Sequence, residues 1–86
     1  MRSISRSDGA RPLSALRPGQ RGAVHHLLPH QRDRVDRLHA LGVTPGAPIT
    51  VLQTAPGFVF LCDQTELAVE RVVADAIYIE VSEERP

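Results

Sequence analysis

Between Arg37 and Val51 the chain reads Arg-Leu-His-Ala-Leu-Gly-Val-Thr-Pro-Gly-Ala-Pro-Ile-Thr-Val, and no other window limits the fold so tightly. Val35, Leu38 and Leu41 recur at threes, which places them on one narrow side of a helix. Gly42 stops that helix, because the residue just past a helix end often turns left-handed and glycine has no Cβ to clash there. Pro45 presets the first central position of a turn, and Gly46 accepts the positive φ that a type II turn needs at the second. Ile49 and Val51, two apart, then open a strand with both branched side chains on one face. Helix, stop, turn and strand follow one another without a gap.

The remaining apolar runs are all strand-sized. They span Gly22 to Leu28, Ala47 to Gln53, Phe58 to Cys62, Glu66 to Val69 and Ala76 to Val81. In the last, Ile77, Ile79 and Val81 alternate with Tyr78 and Glu80, the pattern of a half-buried strand. Pro18-Gly19, Pro45-Gly46 and Pro56-Gly57 each precede one of the runs. Asp63-Gln64-Thr65 reads as a hairpin turn, Leu13 to Leu16 as a single helical turn or an irregular packed segment, and Glu70 to Asp75 as one turn of 3-10 type. Pro48 suits the opening of a strand, where its missing N–H costs least. Five short strands with one helix between the first and second lack the crossovers of a parallel sheet. The expected fold is therefore mainly β, a small, strongly bent antiparallel barrel of five short strands, since closing or nearly closing the sheet removes exposed edges. Its bounds are residues 13–81, with a disordered tail over 1–12 and a second tail over 82–86.

Composition narrows the function classes. Ten Arg balance ten acidic residues, so no net charge holds the chain to a nucleic-acid backbone. No apolar run reaches membrane-spanning length, and Met1 to Ala10 lacks a signal-peptide core. A single cysteine, Cys62, excludes an internal disulfide and fits a reducing cytoplasm. Cys62 reads as a small core group with no histidine near it in sequence to activate it. No phosphate-binding Gly-x-x-x-x-Gly-Lys-Ser/Thr is present, and no paired acid and base stands at a recognisable catalytic spacing. Phe58, Phe60 and Tyr78 are too few aromatics for a proline-peptide groove. The chain is expected not to be an enzyme and to need no cofactor.

Two side-chain groups remain. His25, His26 and His30 lie within six positions of one another. His25 and His26, as strand neighbours, are expected to face opposite ways and not to share an ion. His26 and His30 could converge if the chain bends at Pro29, with Asp33 the nearest further ligand. The preferred reading leaves the histidines facing solvent and assigns no metal ligand. Along the helix, Leu28, Val35, Leu38 and Leu41 could leave an apolar cleft against the barrel wall, rimmed by Arg34, Arg37 and His39; the rival reading consumes the leucines in the core. The partner-binding candidates are therefore Arg34, Val35, Arg37, Leu38, His39 and Leu41. An Asp33–Arg37 pair on the exposed helix face would contribute about 0.3–0.5 kcal/mol.

Taken together, Leu13-x-x-Leu16-x-Pro18-Gly19-x-x-Gly22-x-Val24, Arg37-Leu38-x-x-Leu41-Gly42-Val43-x-Pro45-Gly46-x-x-Ile49-x-Val51, Leu67-Ala68-Val69 and Ala74-x-x-Ile77-x-Ile79 resemble the FeoA family. The resemblance implies an SH3-like barrel and a cytoplasmic, non-enzymatic accessory role in bacterial ferrous-iron uptake. It also implies a partner, the membrane transporter FeoB, whose cytoplasmic part binds GTP. The same barrel is similar to the C-terminal domain of iron- and manganese-dependent repressors of the diphtheria-toxin-repressor type, which makes a metal-sensing domain the alternative reading. No winged-helix segment precedes it here, which favours the stand-alone family. Weak self-association stays open.

Overall fold

A computed structural model of the chain describes residues 9–28 and 32–82, with backbone only at Arg32. Its strands are β1 (Ala10–Pro12), β2 (Arg21–Leu27), β3 (Pro48–Gln53), β4 (Phe58–Cys62), β5 (Thr65–Val69) and β6 (Ile77–Val81). Helix α1 (Arg32–Ala40) lies between β2 and β3, helix α2 (Arg71–Ala74) between β5 and β6, and a 3-10 turn covers Leu13–Ala15.

The expected corner forms as a linked set of backbone hydrogen bonds. Beyond α1, the Gly42 N–H donates to the His39 carbonyl at 3.0 Å and the Val43 N–H to the Leu38 carbonyl at 2.9 Å. Gly42 has φ +100°. This is a Schellman stop, and Leu38 and Val43, the two residues that such a stop brings together, both belong to the core. The Ala47 N–H then donates to the Thr44 carbonyl at 2.9 Å, closing the Pro45-Gly46 turn. The Gly46 N–H reaches the Val24 carbonyl at 2.7 Å, and the Val24 N–H the Ala47 carbonyl at 2.9 Å, so the corner is sewn to β2. Pro48 opens β3, as expected.

The strands form a six-stranded sheet in the order β1-β6-β2-β3-β4-β5, with every pairing antiparallel. Two expectations change here. Strand β1 is additional: Ala10, Arg11 and Pro12 pair with Glu80, Ile79 and Tyr78, so the folded unit reaches back into the proposed tail. The sheet also does not close on itself, since β1 and β5 are its two edges and no ladder joins them among the described residues. Helical turns occupy that side instead. Strand β1 runs into the 3-10 turn and β5 is followed by α2; these turns meet where the Ser14 hydroxyl donates to the Asp75 carboxylate. Leu13, Leu16, Val73 and Ala74 come from these two turns and are buried in the core.

Local differences have simple causes. Helix α2 is a single α-helical turn and not 3-10, because Ala74 and Asp75 donate to carbonyls four residues back, at 2.9 and 2.8 Å. The third Pro-Gly does not repeat the first two: the Ala55–Pro56 bond is cis and Gly57 lacks the positive φ of Gly19 and Gly46. In the core, Ile49 and Val51 of β3 face Cys62 and Phe60 of β4, and Val24, Ile77 and Ile79 complete the same layer. No polar or charged side chain is buried among the described residues.

Candidate functional site

The expected cleft along α1 exists, with altered membership. A groove of about 310 Å³ is lined by Arg34, Arg37, Leu38 and Leu41 on the helix side. The opposite wall is Leu67, Ala68, Val69 and Glu70 at the end of β5, with Val73 of α2. Val35 and His39 do not line it, although both lie on the helix, and neither does Leu28. Val35 is half-buried without belonging to the core or its packed margin, and His39 is exposed.

Leu38 and Leu41 share a sequence pattern but not an environment. Leu38 is 6 % exposed and forms the floor, so the core consumes it; Leu41 is 46 % exposed. The cause is the helix end at Ala40, since Leu41 falls within the Schellman turn and leaves the buried face. Sequence reading missed the far wall because nothing in a linear pattern says which strand a helix will face. Leu67-Ala68-Val69 does belong to the family motif, which was the available signal.

Charges frame the mouth. The Arg34 guanidinium lies 3.4 Å from the Glu70 carboxylate, joining helix to far wall across exposed surface, a pair worth about 0–1 kcal/mol. Arg37 has no acidic partner among the described residues; the expected Asp33–Arg37 pair does not form. Among the described residues the groove thus presents one unpaired guanidinium and one half-exposed leucine beside an edge strand with no ladder on its outer side.

The expectation that His25 and His26 face opposite ways is not met. A β-bulge interrupts the β2–β6 register between Val24 and His26, and His25 and His26 come together at Nδ1–Nδ1 2.7 Å. His30 lies outside the described residues. Among the described residues no group of three or more His, Cys, Asp or Glu side chains could hold a metal ion.

Cys62 is buried, and its thiol donates to the Gly42 carbonyl at 3.5 Å. Burial first, and then the neighbouring Asp63 charge, push its pKa up. The folded state therefore holds this proton more tightly than the unfolded chain. The resulting stability is intact below the free-thiol value of about 8.5 and is lost as pH rises through the higher folded value. Melting temperature should decline as pH rises above about 8.5 in the wild type, and Cys62→Ala should flatten that decline; an equal slope in both would exclude Cys62 as its source.

Among the described residues the chain is an antiparallel β-sheet module with a surface groove between α1 and β5. The comparisons with known proteins define its class. Residues 11–81 match the FeoA domain model. A Leptolyngbya boryana protein named for Fe(2+) transport, protein A, is 30 % identical over 71 residues, covering 81 % of this chain and 87 % of the relative. The crystal structure of an iron uptake regulatory protein, FeoA, superposes with a TM-score of 0.75 at 27 % identity, covering 85 % of this chain and 97 % of that one. A manganese-dependent transcriptional repressor shares the fold alone, with a TM-score of 0.76 at 22 % identity over 83 % of this chain and 41 % of its own. The chain belongs to the FeoA family, non-enzymatic accessory proteins of ferrous-iron transport. Among the described residues no helix is long and apolar enough to cross a membrane.

Proposed function

We propose that this chain docks on the cytoplasmic side of the ferrous-iron transporter FeoB through the groove between α1 and β5, and modulates transport without making or breaking bonds. The observation that carries the reading is the pairing of half-exposed Leu41 with Arg37, which has no acidic partner among the described residues, facing the edge strand β5. An apolar anchor beside a guanidinium is the composition of an interface hot spot, and arginine is enriched in such spots. A partner segment that supplies an apolar side chain and a carboxylate would satisfy both groups. Family membership supports the Feo system as the source of that segment.

The test is binding of the purified chain to the cytoplasmic GTP-binding region of FeoB. Leu41→Asp and Arg37→Glu should each weaken association about tenfold or more, equivalent to about 1.4 kcal/mol. His39→Ala, on the same helix but outside the groove, should bind as wild type. Undiminished binding by both groove variants would refute this surface.

A further inference from the structure

The contact between His25 and His26 lies outside the groove and does not depend on the docking reading. Strand neighbours ordinarily point to opposite faces. Here the bulge adds one residue to β2. Val24 and Leu27 both pack on the core, and the two residues between them, His25 and His26, lie on the outer face. His26 stacks on Tyr78, its cross-strand neighbour, with centroids 4.8 Å apart and planes within 10°. The His25 ring meets His26 edge-on at 77° with centroids 5.0 Å apart, bringing the two Nδ1 atoms to 2.7 Å.

Two imidazole nitrogens aimed at each other at this distance cannot both carry a proton. One N–H must donate to the other ring's lone pair, or a single cation must replace the shared proton. We propose that His25 and His26 form a two-imidazole chelate, through their Nδ1 atoms, for a divalent first-row transition ion such as Zn²⁺. Metal–nitrogen bonds of 2.0–2.1 Å at a tetrahedral centre set two ligands about 3.3 Å apart, so the rings need separate by only about half an ångström. The stack on Tyr78 already holds one ring in place. Imidazole favours zinc, copper and nickel over the oxygen-seeking magnesium and calcium. With no third ligand group assembled among the described residues, water or an incoming ligand fills the other positions, and the ion exchanges.

Titration of the full chain with ZnCl₂ at neutral pH, followed through the histidine side-chain ¹⁵N resonances, tests the chelate. Saturable binding should shift the Nδ1 signals of His25 and His26, and MgCl₂ should leave them in place. His25→Ala and His26→Ala, each checked for wild-type circular dichroism, should lower zinc affinity about tenfold or more, whereas His39→Ala should not. Absence of a saturable shift, coordination reported at Nε2, or undiminished affinity in either ligand variant would overturn the proposal.

Discussion

Gly22→Ala is expected to cost about 3 kcal/mol or more and to lower the melting temperature by roughly 12–24 °C. Gly22 sits in β2 between two partners, opposite Ile49 of β3 and Val81 of β6. A Cβ there would stand 2.2 Å from the Glu80 carbonyl oxygen and 2.9 Å from Ile79 Cγ2. The first of these is backbone within a paired strand, so relief requires prising β6 from β2 and not merely turning a side chain. Gly57→Ala is the control, since its Cβ would meet nothing within 4 Å. Thermal unfolding of the two variants should differ widely; near-wild-type stability in Gly22→Ala would mean that the two strands are less closely apposed.

Leu38→Asp should unfold the chain, whereas Leu41→Asp should leave it folded. At 6 % exposure, Leu38 leaves a carboxylate little water, and no charged side chain is buried beside it among the described residues, the groove arginines Arg34 and Arg37 being exposed. Removing the apolar side chain alone costs about 2–5 kcal/mol, and an unpaired buried charge adds to that. Such a sum is comparable to the whole stability of a small domain, about 5–15 kcal/mol. Leu41, at 46 % exposure, should change the melting temperature by only a few degrees when made Asp. Loss of partner binding in Leu38→Asp would therefore report unfolding, and only Leu41→Asp interrogates the groove. A folded Leu38→Asp variant would overturn this assignment of the core.

The contrast between these leucines shows how far the chain could be read without coordinates. The glycine stop, the Pro-Gly turn and the alternation of Ile77 and Ile79 were legible because each depends on residues adjacent in sequence. The bounds of β4, Phe58 to Cys62, were legible for the same reason. What escaped depends on partners. Ala10–Pro12 has no apolar alternation and becomes a strand only because β6 offers it an edge. His25 and His26 share a face because the β2–β6 register slips between Val24 and His26, and no residue type announces that slip. Four of the helix-side candidates, Arg34, Arg37, Leu38 and Leu41, line the groove, while Val35 and His39 do not. Spacing at threes specifies a helix side but not where the helix stops.

The Schellman turn and its bonds to β2 give the groove a fixed jaw, for Leu38 and Leu41 are moored to the sheet through Val43 and Gly46. The opposite jaw is β5, ladder-bonded on one side only. Occupancy should register asymmetrically, slowing amide exchange over Thr65–Val69 far more than over the corner. On the proposed docking, a bound segment would lie between a jaw bonded on several sides and one bonded on a single side, so that its girth could vary while its charge is read at a fixed point, Arg37.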